Sequence, residues 1–448
     1  MKFCGNYRSY FNVARHNVSD KARCYAFGLM MVAKRKNMER MEEYVPDYNY
    51  QAQQQFISNS PWDDEGLRTQ IAQDVNKLIG GDESALIIDE SCFAKKGDKS
   101  VGVARQWDGR RGKTDNCQVG VFAALSNGQR ASLVDERLYL PKGWTENNQR
   151  CKTAGIPEEQ WEFHTKTELA LDMIDASVVH KLNYGWVGLD GGYGKCPWLL
   201  RAIDDRDIVF VADVHSDQVM YSSDPVPYVP EKKTSRGRKP SKLRTDEKGV
   251  TVKKHFADFP DESWKKIQLE TQTRGQVTVH AAAQRVWFWD SEEEVARQWW
   301  VVCVKDNNEK KYFVSNLLEG EPLASLVLKQ SVRFWIERAF QDAKTSVGMA
   351  DYQVRGWKAW HHHMSMVMMG MLFMLEERIL NEKEVELLSC QDVVELLNHY
   401  LPRADVTEEE VLRNMQRRHR KRKAAIESAR RKQRLARKAE VMNEETRT

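Results

Sequence analysis

The sequence predicts an α/β protein with a mixed-sheet core, an N-terminal helical part, a β-rich insertion and a basic helical C-terminal tail. Three observations lead there. Short apolar runs such as Ser84-Ala85-Leu86-Ile87-Ile88 and Tyr184-Gly185-Trp186-Val187-Gly188-Leu189 each end on an acid, Asp89 and Asp190, as buried strands do when they deliver a side chain to the end of a sheet. An Asn127-Gly128 pair sits between two strand-like runs and marks a hairpin. Val332, Trp335, Ile336, Ala339, Phe340 and Ala343 recur at the spacing of a buried helical stripe.

In chain order, residues 1–80 read as helical. The apolar cluster Tyr25 to Val32 is followed by the basic Lys34-Arg35-Lys36, and Arg40, Tyr50, Gln51, Gln53, Gln54, Gln55 and Phe56 add groups able to meet a DNA backbone or base edges. Two readings stand side by side, a domain that reads DNA sequence and a plain helical cap on the next domain. Residues 81–220 form the first part of the core. Ser84 to Ser91, Ser100 to Trp107, Cys117 to Leu125 and Ala131 to Leu140 read as strand-like runs, with the first three core strands an antiparallel meander, and Lys166 to Leu182 reads as a helix. Tyr184 to Gly194 follows as a strand whose glycines around Asp190 permit close backbone approach and positive φ. Pro197 to Asp204 is a short helix and Ile208 to Asp213 a further strand.

Residues 221–319 change texture and read as the insertion, with strands at Val277 to Trp289, Gln298 to Val304 and Lys311 to Ser315. Within it Arg236, Arg238 and Lys239 belong to a basic loop, either a minor-groove element or a solvated surface. Trp287, Trp289, Trp299 and Trp300 are stacking platforms for unpaired bases or plain core. Residues 320–400 complete the core. They contain the striped helix and a second helix, Trp357 to Leu380, where His361, His362 and His363 precede six methionines. Consecutive helical positions point about 100° apart, so these histidines are not expected to share one ion.

The chain has 448 residues and a net charge of +4, unevenly spread. From Val411 to Lys438, within a tail of residues 401–448, thirteen Lys and Arg face one acid, Glu427, so this stretch holds +12 and the remainder of the chain −8. Such concentration points to a polyanionic partner, most often nucleic acid. Eight dispersed cysteines without a CxxC pair indicate reduced thiols rather than a zinc site or disulfide framework. The start lacks the apolar region of a signal peptide, and the longest apolar run, Met364 to Leu375, is too short to span a bilayer. A cytoplasmic, nucleoid-associated protein without a membrane partner is expected.

On the striped helix, Arg333, Glu337, Gln341 and Lys344 form a polar flank beside the apolar face. A carboxylate with a cation about one turn before it and another about two turns after it suits a metal-binding acid between two phosphate-binding cations. On this helix alone an exposed flank with one i,i+4 ion pair is the more common arrangement. Asp89, Asp190 and Glu337 are the candidate acids, and Asp213, which also ends a strand, competes with Asp190 for second place. Three carboxylates can hold two Mg2+ ions about 4 Å apart, with Mn2+ as a substitute, for an in-line displacement at phosphorus. In that account Asp89 bridges both ions and Asp190 and Glu337 hold one each.

This order of acids resembles the DDE transposases of bacterial insertion sequences, in the ribonuclease-H-like superfamily. The most specific part is Arg333, three residues, Glu337, six residues, Lys344, which is similar to the Tyr-Arg-Glu-Lys signature of the branch with a β-strand insertion before the catalytic Glu. Where that signature opens with Tyr, this chain has Gln330. Ile88-Asp89-Glu90-Ser91 and Gly188-Leu189-Asp190-Gly191-Gly192-Tyr193 resemble the branch's two Asp motifs. The resemblance implies binding to terminal inverted repeats and target DNA, synapsis of two ends as a homodimer, hydrolytic strand cleavage and strand transfer. The alternatives are a domesticated, non-cleaving DNA-binding protein and a two-carboxylate glycosidase; the latter explains neither the tail nor Arg333 and Lys344.

Overall fold

The computed structural model describes residues 2–31, 35–109, 111–231, 240–271, 275–306, 309–404 and 407–445. Four main helices form the N-terminal part: α1 (Ser19–Met31), α2 (Met38–Tyr44), α3 (Tyr50–Ser58) and α4 (Asp64–Ile79). Their starts are chemically specified. The side chains of Asn37, Asn49 and Asp63 accept from the Arg40, Ala52 and Gly66 N–H groups, satisfying donors that a helix cannot pair itself.

Ten strands then build one sheet: β1 (Gly81–Ala94), β2 (Ala104–Asp108), β3 (Lys113–Ser126), β4 (Ala131–Leu138), β5 (Tyr184–Leu189), β6 (Phe210–Val214), β7 (Lys265–Thr271), β8 (Gly275–Phe288), β9 (Arg297–Asp306) and β10 (Glu309–Ser315). Central β1 pairs antiparallel with β3 on one side and parallel with β5 on the other, and β5 pairs parallel with β6. The free edge of β3 takes β2 along Lys113 to Cys117 and β4 along Gly120 to Ser126. The expected hairpin is present: β3 and β4 close over Asn127 to Arg130, with Gly128 at φ 79°. This is the expected ribonuclease-H-like mixed sheet. The sheet then continues, because β10 pairs antiparallel with β6 and leads on through β9 and β8 to β7.

Two helices cross between the parallel strands. Helix α5 (Lys166–Val179), opened by a capping box of Thr165 and Glu168, connects β4 to β5, and α6 (Pro197–Asp204) connects β5 to β6. After the sheet come α7 (Leu323–Val332) and α8 (Phe334–Ser346). The striped helix is therefore two segments that meet at Arg333, which keeps φ −53° and ψ −33° while the junction is held by the tighter bonds Arg333 N–H to Gln330 O and Ile336 N–H to Arg333 O. The stripe itself is core: Val332, Ile336, Ala339, Phe340 and Ala343 are buried and Trp335 packs against them.

Helix α9 (Trp357–Leu380) is buried at every residue from Ala359 to Leu375, so it runs through the middle of the molecule. Its methionines fill that core. Each histidine goes to a different neighbour: His361 Nδ1 lies 2.7 Å from Glu136, His362 Nδ1 bonds the Ile57 carbonyl, and His363 Nδ1 lies 2.9 Å from the Tyr25 hydroxyl. Helix α10 (Cys390–Tyr400) and the long tail helix α11 (Glu408–Glu445) follow. No described helix is long and apolar enough to cross a membrane.

Candidate active site

Register places the acids. The last parallel pair of β1 and β5 is Ile88 with Leu189, and the last pair of β5 and β6 is Leu189 with Ala212. One residue further along each strand stand Asp89, Asp190 and Asp213. In-register residues of parallel strands face the same way, and neighbouring strands are about 4.8 Å apart. The three carboxylates thus form a row on one face where the parallel pairing of the three strands ends, although β1 itself runs on past Asp89 to Ala94 in its pairing with β3.

Asp190 caps the turn Gly191–Gly194, its Oδ1 accepting the Gly192 N–H at 2.9 Å and the Tyr193 N–H at 3.2 Å. Asp89 Oδ1 accepts the Glu90 N–H at 2.7 Å. Among the described residues, no donor reaches Oδ2 of either acid. Burial, followed by the repulsion of Asp190, pushes the Asp89 carboxyl up to about 7, although the Glu90 N–H and Arg333 oppose the shift. The glycines beside Asp190 act differently from expectation: none of Gly185 to Gly194 has positive φ, and a Cβ on Gly194 would stand 2.0 Å from the Asp213 carbonyl oxygen. Close packing of this turn on β6, rather than ligand approach, requires glycine there.

Helices α7 and α8 supply the remaining groups. Arg333 Nε lies 3.0 Å from Asp213 Oδ2 and its Nη2 lies 3.2 Å from Glu337 Oε1. Burial works against the guanidinium charge, but Asp213, Glu337, Asp89 and Asp190 together hold its pKa raised. Gln330, at the Tyr position of the resembled signature, donates from Nε2 to Asp213 Oδ1 at 2.9 Å. Burial raises the Asp213 carboxyl, with Arg333 and Gln330 acting against that. Glu337 is half exposed, with a side-chain accessibility of 50%. Lys344 lies seven residues on, about 10 Å along the axis, with its ammonium 5.5 Å from the centre of the Phe340 ring.

Asp89, Asp190, Glu337 and Arg333 are therefore in one place, and Asp213 and Gln330 join them. Asp213 was visible as a strand-end acid; Gln330 gave no signal beyond its place in the motif. Tyr193 is a further unforeseen neighbour. Its buried hydroxyl has no hydrogen-bond partner, and after burial the charges of Glu90, Asp89 and Asp190 raise its pKa. Arg236, Arg238 and Lys239 lie outside the described residues. Of the proposed N-terminal contact groups, Gln53 and Phe56 are buried, so core packing claims them, while Gln51, Gln54 and Gln55 are exposed. Trp299 is core, packed edge-on against Phe210 at 5.0 Å. In the tail, Arg417 and Arg418 pair with Glu42 and Glu43 of α2 at 2.7 and 3.3 Å, and Lys421 pairs with Glu39.

The donor chemistry fits a hard divalent cation, since Asp89 and Asp190 each offer a carboxylate oxygen without a hydrogen-bond donor among the described residues, and hard cations take oxygen ligands. The third donor does not yet converge. Among the described residues no group of three His, Cys, Asp or Glu is gathered closely enough to hold a metal ion.

The chain belongs to the DDE superfamily endonucleases, whose family model matches residues 9–276. The match includes Asp89 and Asp190 and ends before Glu337. The chain is also 37% identical over 219 residues to a probable transposase for insertion sequence element IS701 of Microchaete diplosiphon, an alignment covering 48% of this chain and 53% of the relative. It thus spans about half the length of that relative.

Proposed function

We propose that this protein is a DNA transposase that binds terminal inverted repeats, cleaves DNA strands in a Mg2+-dependent reaction and transfers them to target DNA, two copies holding the paired ends. The observation that carries this reading is the row formed by Asp89 and Asp190 at matching heights of adjacent strands, with Glu337 on a helix over the same face and tied to the row through Arg333. In this reading Asp89 and Asp190 face the cation with their open oxygens, and Glu337 completes the set by turning from Arg333. Asp89, Asp190 and Glu337 would hold Mg2+, or Mn2+ in its place, and the ion would supply activation of the attacking hydroxyl and charge stabilisation of the leaving oxygen of a phosphodiester. In the same reading Lys344, two turns along α8, meets a phosphate of the strand that lies across the site. The exposed cations of α11 supply sequence-independent attraction to the backbone.

Glu337→Gln and Asp190→Asn test the assignment, because each keeps its shape and loses its charge. Both variants are expected to fold as wild type by circular dichroism, to retain end binding in gel shifts, and to lose Mg2+-dependent nicking of a labelled end substrate by a factor of about 100 or more. Nicking by Glu337→Gln at the wild-type rate would remove Glu337 from the chemistry and favour a DNA-binding protein that does not cut.

A further inference from the structure

The third acid stands apart from the other two because Arg333 is bound to it, and that guanidinium is divided between two carboxylates. Nε faces Asp213 at 3.0 Å and Nη2 faces Glu337 at 3.2 Å. The first contact is an ion pair without hydrogen-bond alignment, for buried Nε has no properly directed acceptor. Asp213 is itself anchored: Oδ1 takes the Gln330 amide at 2.9 Å, and the carboxyl sits at the end of the row on β6. Both its oxygens are thus engaged, whereas Asp89 and Asp190 each keep one open. Asp213 is therefore placed to hold Arg333 rather than to ligate a cation. Because Arg333 holds Glu337, a divalent cation arriving at Asp89 and Asp190 needs Glu337 released from the guanidinium. A fixed second anion that keeps the guanidinium makes that release cheaper.

We propose that Asp213 is a positioning residue for Glu337, acting through Arg333: it retains the guanidinium so that Glu337 can leave it for the divalent cation. This rests on the metal-dependent nuclease reading. Without Asp213, Arg333 has Glu337 as its one close carboxylate and competes with the cation for it.

The test is Mn2+ titration of the full chain without DNA, followed by electron paramagnetic resonance, with circular dichroism to verify folding. Asp213→Asn is expected to weaken Mn2+ binding about tenfold, in the range found when groups that orient metal ligands are changed. Adding Arg333→Gln to it removes the competitor and is expected to return the affinity to near wild type. A structural loss would not be rescued in that way. Unchanged affinity in Asp213→Asn overturns the assignment, as does a double variant that binds as weakly as the single one, which would make Asp213 a ligand or a structural acid. If the wild-type chain itself binds no Mn2+, the nuclease reading falls together with this one; normal wild-type binding with a neutral Asp213→Asn removes this one alone.

Discussion

Gly194 carries more of the site than its lack of a side chain indicates. The turn that follows Asp190 is pressed against β6 so closely that an added Cβ would meet the Asp213 carbonyl oxygen at 2.0 Å. No ordinary contact is that short, and a backbone carbonyl cannot swing aside as a long side chain does. Gly194→Ala is therefore expected to lower stability by about 1–3 kcal/mol, the usual cost of overpacking a filled interior, and to shift Asp190 relative to Asp213. Urea unfolding measures the first effect and nicking the second. Wild-type behaviour in both would mean that the turn relaxes at no cost. At this scale the sequence was informative about identity and silent about arrangement. Asp89, Asp190 and Asp213 were each legible as acids closing an apolar run. That they stand in one row depends on the register of β1, β5 and β6, a property of pairing between segments that lie far apart along the chain.

Among the elements, α9 shows best what local pattern reveals and what it leaves out. Its limits, Trp357 to Leu380, were readable from the apolar run, and so was the exclusion of a shared histidine ion. The partners were not, because Glu136, Ile57 and Tyr25 come from β4, α3 and α1, elements joined only in the folded chain. The division at Arg333 was likewise invisible, since the residue keeps helical dihedrals and only the hydrogen-bond spacing changes. The burial of α9 has a titration consequence. Desolvation lowers the His363 pKa from 6.5 to about 3 and moves His362 in the same direction, with Asp64 opposing for the latter. A histidine depressed in the folded state favours unfolding when protons are added. Its contribution is intact above about pH 6.5 and is lost as pH falls from there towards 3, by at most about 1.4 kcal/mol per pH unit. The unfolding free energy of the wild-type chain should thus fall between pH 6.5 and 5, and His363→Gln should flatten that fall whatever its own stability. Equal slopes for the two proteins would place the acid sensitivity elsewhere.

On the scale of the whole molecule the governing quantity is the separation of charge, +12 between Val411 and Lys438 against −8 on the rest. Part of it is neutralised at home. The first turns of α11 lie on α2, where Arg417, Arg418 and Lys421 meet Glu42, Glu43 and Glu39, and Lys421 lies 5.2 Å from the centre of the Tyr50 ring. These pairs lie at the surface with their acids partly covered, and ion pairs near the surface contribute about 0–1 kcal/mol each, so they orient the tail without removing it from competition for a polyanion. Further along, Arg420, Lys423, Arg430 and Arg434 are exposed. A chain lacking residues 411–448 should therefore bind end and random DNA more weakly by similar factors, because groups that meet phosphates carry no sequence information. The slope of log affinity against log salt should also become shallower, by about 0.9 for each phosphate that the tail no longer neutralises. Gel shifts at several salt concentrations, with an inverted-repeat duplex and a scrambled one, read both quantities. A selective loss for the end sequence would make the tail a base reader. An unchanged slope would confine it to its seat on α2, leaving Lys344 and the N-terminal helices to hold the DNA.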